Sequence, residues 1–296
     1  MAEKWWEARE VAGDFWLGTT RFFVAHTPAF VVKIIAFFVA GAYFLLLPKR
    51  RENILTFRAR AGAKGGAFDN FYAFALAIAD KFAVWIKEDA LKIDYSNLNN
   101  ISPVFETLGR GRGKVLITSH YGNIEIAKAL ASKLKNVKVN ILLYQKGSEK
   151  FNQTMARLGE GKIEIFAVES LEMDDMMRLA KKIERGEHVA VMGDRVPIAG
   201  DKIASVEFLG ERANFGVGAY LIAGVLEAEI YSFWCYKELG EYKFEISKLP
   251  ALARSRDKIA AAMPPLRAYV SELERKCLRD PSQWFNFFDF WGQNDK

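Results

Sequence analysis

The second half of the chain, from residue 112 onward, alternates short apolar runs with stretches of helical periodicity. Four runs have the length and apolar content of buried strands: residues 115–119, 139–144, 163–168 and 188–193. Helices are predicted between and after these strands: residues 124–134, 148–158, 171–185 and 214–226. This alternation predicts an α/β fold in which a mainly parallel central sheet is flanked by helices.

The C-terminal third adds elements of a different kind. Two further strands are predicted over residues 229–236 and 242–247, followed by a long helix over residues 254–276 that Pro264-Pro265 breaks. The closing segment, residues 280–291, begins with an Asp–Pro helix start and carries a wide aromatic face: Trp284, Phe285, Phe287, Phe288 and Trp291. We expect this face to dock on the core, and a position in the lipid interface is the alternative.

An apolar run near the N-terminus, residues 29–47, carries Lys33 as its only charge. As a helix the run is roughly 28 Å long, close to the ~30 Å hydrocarbon core of a bilayer. We expect Thr27 as the N-cap, with Pro28 at the first helical position, and Pro48 to end the run. The pattern predicts a membrane helix that spans the bilayer or is deeply inserted. A buried core helix is the alternative.

The charges on the two sides of this run differ. Residues 1–26 hold three basic and four acidic side chains, whereas residues 49–64 hold six basic and one acidic. Basic flanks stay in the cytoplasm and meet anionic lipid, so we expect the C-terminal side of the run to be cytoplasmic. A further helix is predicted over residues 68–87. We therefore divide the chain into a helical, membrane-associated region, residues 1–90, and an α/β domain, residues 91–296.

Composition narrows the possible functions. Apolar residues make up 51% of the chain and charged residues 26%, which excludes global disorder. A net charge of +6 is too small to indicate a nucleic-acid partner. The two cysteines, Cys235 and Cys277, form no C-x-x-C pair, and three histidines are too few for most His-built metal sites. We therefore expect no metal and no resident cofactor.

The sharpest local motif is S-H-Y-G-N-I-E, residues 119–125, between a predicted strand and a predicted helix. His120 follows the carboxyl end of the strand, where open α/β sheets bind their ligands. Glu125 falls in the first turn of the helix and can hold one imidazole nitrogen, which leaves the other as a base for a substrate hydroxyl. Helix-start N–H groups can stabilise an oxyanion. The alternative is a structural histidine that a capping glutamate satisfies.

Two further motifs follow in the chain. Asp194 and Arg195, in G-D-R-V-P, also follow a predicted strand, so they can face the same crevice as His120. An arginine there suits a phosphate or a carboxylate, and an ordinary turn pair is the alternative. The motif F-L-G-E-R-A-N-F, residues 208–215, is predicted as a turn before a helix rich in small residues. By itself it indicates only close helix packing.

Taken together, in order and spacing, these elements resemble the bacterial lysophospholipid acyltransferase superfamily, in the branch of the lipid A biosynthesis late acyltransferases. The likeness covers most of the chain: the N-terminal apolar helix, S-H-Y-G-N-I-E, G-D-R-V-P, F-L-G and the closing Q-W-F. The pattern H-x-x-x-x-E between a strand and a helix is that family's hallmark. The variants G-D-R-V-P and Q-W-F-N-F-F-D-F-W are closer to the subgroup found beside glycosyltransferases and in aryl-polyene-type lipid clusters.

The resemblance implies a membrane-bound enzyme of lipid A or lipopolysaccharide biosynthesis, which moves a fatty acyl group from a thioester to a hydroxyl (or amine) of a lipid or glycolipid. It implies His120 as the catalytic base and Glu125 as its orienting partner. Substrate-binding positions are also implied: Asn123, Asp194, Arg195, Phe208 and Gly210. The co-substrate is a thioester of acyl carrier protein or coenzyme A, and the partners are a lipid acceptor and the membrane. The implied location is the bacterial inner membrane, with the catalytic domain on the cytoplasmic face.

One block departs from the family's pattern. Relatives carry an arginine motif after the strand at residues 139–144, where this chain offers Lys146, Lys150 and Asn152 instead. The acceptor's identity therefore stays open. Two other classes of function also remain: a non-catalytic lipid-binding partner of a membrane enzyme, and a lipid hydrolase in which water replaces the acceptor. Intact His120 and Glu125 argue against the silent partner, because a silent binder has no chemical need for both. Exclusion of water by a lipid groove would separate transferase from hydrolase.

Overall fold

A six-stranded sheet forms the centre of the computed structural model. The model describes residues 19, 23–24, 26–86, 91–94, 96, 104–127, 136–144, 163–196 and 202–292. The main sheet contains β1 Val115–Thr118, β2 Val139–Leu143, β3 Ile163–Ala167, β4 His188–Met192, β7 Ile230–Glu238 and β8 Glu241–Lys248, and a separate hairpin contains β5 Ile203–Phe208 and β6 Glu211–Gly216. The helices are α1 Ala29–Leu46, α2 Pro48–Arg60, α3 Phe68–Ile86, α4 Met173–Glu184, α5 Gly218–Val225 and α6 Lys258–Arg279, with short turns at Val168–Ser170 and Pro281–Gln283; the described residues 124–127 are also helical.

The order of the strands confirms the predicted α/β architecture. Across the sheet the order is β3-β2-β4-β1-β7-β8, and every neighbouring pair is parallel except β7 and β8. The central strand β1 is buried along its whole length, as expected for a parallel strand covered on both faces. Its Ile117 packs in the same core as Tyr269 and Leu273 of α6, whereas Leu116 packs on the opposite side with Phe233.

The register between β1 and β4 positions the candidate site. Thr118 of β1 is paired with Met192 of β4 in the parallel ladder. The chain therefore leaves both strands at the same edge of the sheet, and residues two positions further along are neighbours. Those residues are His120 and Asp194.

The hairpin β5–β6 corrects one prediction. Residues 214–216 were expected in a helix, but they belong to β6, and helix α5 begins only at Gly218. Phe208 pairs with Glu211, so the turn has two residues, Leu209 and Gly210, with φ of 53° and 81°. Positive φ at both central residues is the geometry that closes a two-residue hairpin. The small residues that come after β6 are typical of a helix, so the sequence pattern did not reveal the strand.

The prolines of α6 correct a second prediction. Pro264 and Pro265 lie inside the helix, which continues to Arg279 without the expected break. Pro265 has no N–H to donate to the carbonyl of Ala261, but that carbonyl accepts from the N–H of Ala253 instead. The acceptor is thus satisfied from outside the helix. Burial of Pro265 and Leu266 against the core supplies the remaining stabilisation.

The start of α1 differs from the expected cap. The N-cap is Pro28, without a side-chain capping bond, and the Thr27 hydroxyl donates to the carbonyl of Phe23 at 2.6 Å. Pro48 ends the run as predicted, since it stands at the first position of α2. The predicted helix at residues 148–158 and most of the one at 124–134 lie outside the described residues. The division of the chain at residue 90 stays a prediction.

Helix α1 packs along α3 and leaves most of its surface uncovered. Within α1 only Ala36 and Ala40 are buried. At its C-terminal end the Phe44 ring contacts the rings of Phe68 and Phe71 at 5.8 Å each. Large apolar side chains on the remaining surface are exposed: Phe30, Ile34, Phe37, Phe38, Val39, Leu45 and Leu46. The structure therefore does not show the buried core helix that was the alternative interpretation.

Candidate functional site

His120 and Asp194 form the centre of the site, at the carboxyl edge of the parallel strands. The imidazole Nδ1 of His120 lies 2.8 Å from Oδ1 of Asp194. The backbone N–H of His120 donates to the other carboxylate oxygen, Oδ2, at 2.8 Å. The indole N–H of Trp284 donates to the same Oδ2 at 3.1 Å. Both carboxylate oxygens are therefore engaged, and the imidazole is held in one orientation.

The protonation states follow from burial and charge. Burial alone would raise the pKa of Asp194, but the charge and hydrogen bonds of His120, with the charge of Arg195, bring this pKa to about 2. Burial and the charge of Arg195 lower the pKa of His120 below its usual value, and Asp194 opposes this only in part. At neutral pH Asp194 is therefore ionised and His120 is neutral.

These states define the tautomer of His120. An ionised carboxylate can only accept hydrogen bonds, so Nδ1 of the neutral imidazole carries the proton. The other ring nitrogen, Nε2, then holds the lone pair. The His120 side chain is 21% exposed, whereas that of Asp194 is 1% exposed. Of the two side chains, the one that carries the basic nitrogen is therefore the one that solvent and substrate can reach. The pair can act as a general base.

The carboxylate at Nδ1 of the imidazole is not the one that was expected to orient the ring. We expected Glu125 to hold one nitrogen of His120, but the carboxylate at Nδ1 is that of Asp194. Glu125 is buried within the described helical residues 124–127. The orienting position at Nδ1 therefore falls to Asp194, which the resemblance had implied for substrate binding. Participation of Glu125 in the reaction stays a prediction.

The turn after His120 is fixed by the sheet and by α3. Gly122 has φ of +77°, and a Cβ at this position would lie 2.1 Å from the carbonyl oxygen of Cys235. Only glycine fits this close approach. The Asn123 side-chain amide donates to the carbonyl of Ala77 in α3 at 2.9 Å. Asn123 thus links the turn to α3, and its expected role in substrate binding stays a prediction.

The backbone amides of this turn are already used. Tyr121 N–H donates to the Ser119 hydroxyl at 2.6 Å, Gly122 N–H to the carbonyl of Gln283 at 2.9 Å, and Asn123 N–H to the carbonyl of Cys235 at 2.7 Å. These three N–H groups therefore do not form an oxyanion hole, and a role of the N–H groups at the start of the following helix stays a prediction. The cationic group beside the pair is Arg195.

Arg195 stands between the pair and the C-terminal segment. Its guanidinium carbon lies 5.2 Å from the centre of the Phe288 ring, and that of Arg50 in α2 lies 5.8 Å from the same ring. Burial lowers the pKa of Arg195 to about 10, against the opposing effect of Asp194, so the group stays charged at neutral pH. The Arg195 side chain is only partly buried. It can stabilise negative charge that develops near His120.

The remaining predicted site residues lie further from the pair. Phe208 is fully buried in an aromatic cluster that includes Trp284 at 5.4 Å and Trp291 at 5.7 Å. Gly210 lies in the hairpin turn, where a Cβ would meet nothing within 4 Å. Phe208 therefore supports the site from behind, and the described contacts do not bring either residue to His120. Lys146, Lys150 and Asn152 lie outside the described residues.

The closing aromatic segment docks on the core, as expected, but it does more than cover it. Tyr121 and Trp284 form an antiparallel bridge, and the N–H of Phe285 donates to the carbonyl of His120 at 3.1 Å. Trp284 was predicted only as part of an aromatic face, because no periodicity shows which ring carries a hydrogen bond. Within the described part of the chain, no group of three or more His, Cys, Asp and Glu side chains could hold a metal ion.

Comparison with known proteins adds one finding. A family model described as bacterial lipid A biosynthesis acyltransferase matches residues 67–292, which is well over half of the chain and includes His120, Asp194 and Trp284. No curated protein matches the chain.

Asp194→Asn tests the assignment of the pair. In the wild-type protein kcat/KM rises with pH as His120 loses its proton, with an inflection below pH 6.5, because the pKa of His120 is lowered. The substitution removes the charge that raises this pKa, so the inflection moves to lower pH. It also places an amide donor at Nδ1, which favours the wrong tautomer, and kcat falls by about 10²- to 10⁴-fold. An unchanged pH profile with near-normal kcat would exclude Asp194 as the orienting group.

Arg195→Lys tests whether the guanidinium fork is required. Lysine keeps the charge but loses the planar fork, so kcat/KM should fall at least about 10-fold, short of the ~10²- to 10³-fold loss typical for a deleted oxyanion donor. Arg178→Lys is the matched control, because its guanidinium carbon also lies 5.2 Å from an aromatic ring, that of Phe166. Steady-state kinetics of the two variants compares them. Equal and mild effects would remove Arg195 from the site.

Proposed function

Because the chain belongs to the bacterial lipid A biosynthesis acyltransferase family, we propose that it transfers a fatty acyl group from a thioester to a hydroxyl of a lipid or glycolipid. The observation that carries the proposal is the neutral His120 held by the ionised, buried Asp194 at the carboxyl edge of the sheet. No enzyme nucleophile is needed, since a general base can activate the acceptor hydroxyl directly. The finer assignment to a subgroup linked to glycosyltransferases and aryl-polyene-type lipids belongs to this proposal.

The reaction divides into two proton transfers around one carbonyl. Nε2 of His120 accepts the proton of the acceptor hydroxyl while its oxygen bonds to the thioester carbon. The carbonyl oxygen gains the negative charge, and the guanidinium of Arg195 stabilises it. The intermediate then collapses, the C–S bond breaks, and the thiolate takes the proton from the imidazolium. The products are an acyl ester and the free thiol of acyl carrier protein or coenzyme A. Asp194 stays ionised throughout and stabilises the imidazolium.

The exposed face of α1 supports membrane binding. Phe38 and Leu46 are 68% and 75% exposed, and five other large apolar side chains of this helix accompany them. A patch of this kind on a folded protein marks an interaction surface. The basic residues Lys49, Arg50 and Arg51 follow directly at the start of α2 and suit anionic headgroups. We assign this face to the cytoplasmic leaflet of the inner membrane.

The packing of α1 favours immersion in one leaflet over a full span. Val32 of α1 packs in one cluster with Ala79 and Phe82, near the end of α3, so the two helices run side by side. Asp80 of α3 in turn accepts hydrogen bonds from Lys237 at 2.9 Å and from the Tyr242 hydroxyl at 2.6 Å. A perpendicular α1 would pull this ion pair and the adjoining sheet into hydrocarbon, which is costly.

The direct test is acyl transfer by the purified full chain in vesicles of total bacterial lipid. Radiolabelled palmitoyl thioesters of acyl carrier protein and of coenzyme A serve as donors. Label should enter the lipid fraction, and His120→Ala should reduce this by about 10²- to 10⁴-fold, because the general base is lost. His26→Ala, at an exposed position before α1, is the control and should leave transfer unchanged.

The other outcomes separate the competing functions. Label that appears as free fatty acid in a His120-dependent manner would show a hydrolase. Lipid binding without His120-dependent turnover of either donor would show a non-catalytic partner. Either result contradicts the proposed transfer.

The membrane contact is tested by the double variant Phe38→Glu and Leu46→Glu. A charged side chain in hydrocarbon costs about 2.5–3.5 kcal/mol at the centre of the bilayer, so binding to anionic phospholipid vesicles should fall at least about 10-fold. Leu239→Glu is the control, because Leu239 is 97% exposed at the turn between β7 and β8. Vesicle sedimentation measures the bound fraction. Equal binding by both variants would show that another surface holds the membrane.

A further inference from the structure

The carboxylate of Asp194 has one described donor that does not come from His120. Two of its hydrogen bonds come from the backbone and the ring of His120, the residue that it orients. The third comes from the indole N–H of Trp284, which stands 90 positions further along the chain, at 3.1 Å. We propose that Trp284 is a positioning residue of the reaction, whose indole N–H fixes Oδ2 so that Oδ1 stays aligned with Nδ1 of His120. This inference rests on the proposed function.

The indole is held too tightly to serve merely as a loose cover. Trp284 is 1% exposed, and its ring meets Phe57 of α2 at 4.8 Å, Phe290 at 5.1 Å and Phe208 at 5.4 Å. Rings on several sides leave the indole one orientation, so the direction of its N–H is fixed. Such a donor requires no reorganisation when the imidazole becomes charged.

The backbone of the same segment holds the other side of the pair. Gly122 N–H donates to the carbonyl of Gln283, and Phe285 N–H donates to the carbonyl of His120. The segment thus fixes the main chain of the base and the side chain of its partner at once. Trp284 lies between these two backbone contacts, which is why its ring reaches Asp194 with little freedom.

A purely structural tryptophan would give the same packing without any effect on the base. Trp291 provides the comparison, because it belongs to the same aromatic cluster and stacks on Phe208 at 5.7 Å. Among the described residues its buried indole N–H has no hydrogen-bond partner. Trp284→Phe and Trp291→Phe therefore remove the same atoms from the same cluster, and only the first removes a donor to Asp194.

Kinetics of the two variants with the palmitoyl thioester donors tests the role. Trp284→Phe should lower kcat about 10- to 100-fold with little change in KM, the size expected for loss of a hydrogen bond to a charged group. Trp291→Phe should stay within about 2-fold of wild type. Trp284→Phe should melt at a lower temperature than Trp291→Phe, because it alone loses a hydrogen bond to a buried charge, but both proteins should be fully folded at the assay temperature. In an Asp194→Asn background, Trp284→Phe should add less than about 2-fold, because its effect passes through Asp194. A rise in KM alone, equal mild effects of both variants, or full multiplication with Asp194→Asn would overturn the role.

A second readout needs no turnover and separates this inference from the proposed function. The ¹⁵N signals of the His120 ring report its tautomer. The wild type and Trp291→Phe should show the Nδ1–H form alone, and Trp284→Phe should show a mixture of the two neutral forms. If the wild type transfers no acyl group, this mixture still supports the positioning role. If His120→Ala abolishes transfer but Trp284→Phe leaves both tautomer and kcat unchanged, the positioning role fails while the proposed function stands.

Discussion

A buried carboxylate beneath a partly exposed imidazole is the interaction on which the rest of the site depends. A buried, ionised Asp194 is tolerable only because each of its oxygens receives hydrogen bonds and because Arg195 places positive charge beside it. The pair depends on the register of β1 and β4, which places the two residues side by side at the edge of the sheet. This register also explains Gly193, where a Cβ would lie 2.5 Å from Ile117 and push the strand end away from α6.

The C-terminal segment connects this pair to the helices that carry the exposed apolar surface. Phe287 contacts Phe71 of α3 at 5.2 Å, and Phe285 contacts Phe74 at 5.3 Å. Phe285 in turn donates its N–H to the carbonyl of His120. Aromatic side chains thus connect the helices that carry the exposed apolar surface to the segment whose backbone holds the base, which suits the proposed reaction, in which long apolar tails must reach a polar centre.

Much of the fold follows from the sequence pattern because the apolar runs are short, separate and bounded by turns. The run at β1 is fully buried and those at β2 to β4 are buried in part, and their length and apolar content identify them as strands. The hairpin was not predicted because the small residues after β6 resemble a helix start. Its turn depends on positive φ at two residues and carries no strong sequence motif. The helix break predicted at the two prolines of α6 was wrong because the carbonyl that Pro265 leaves without an N–H donor accepts from Ala253 instead. This contact comes from outside the helix, so helical periodicity does not reveal it.

In the site, too, some residues could be predicted from the local sequence, whereas the roles of others depend on contacts between distant parts of the chain. His120, Asp194 and Arg195 were identifiable because each follows a strand, and parallel strands end at one edge. The choice between Glu125 and Asp194 at Nδ1 depends on which strands are neighbours, and β1 beside β4 is a property of the sheet rather than of either motif. The role of Trp284 could not be predicted from the sequence for the same reason, since its hydrogen bond joins residues that are 90 positions apart.

The central claim is that Asp194 holds His120 as a neutral base with its proton on Nδ1. A pH titration of the histidine ring ¹⁵N signals in the full-length protein tests this most directly, and with only three histidines in the chain the signals can be assigned by substitution. The account predicts that His120 stays in the neutral Nδ1–H form at pH 7 and takes up its second proton only below pH 6.5. A doubly protonated ring at pH 7, or a neutral ring with its proton on Nε2, would contradict it.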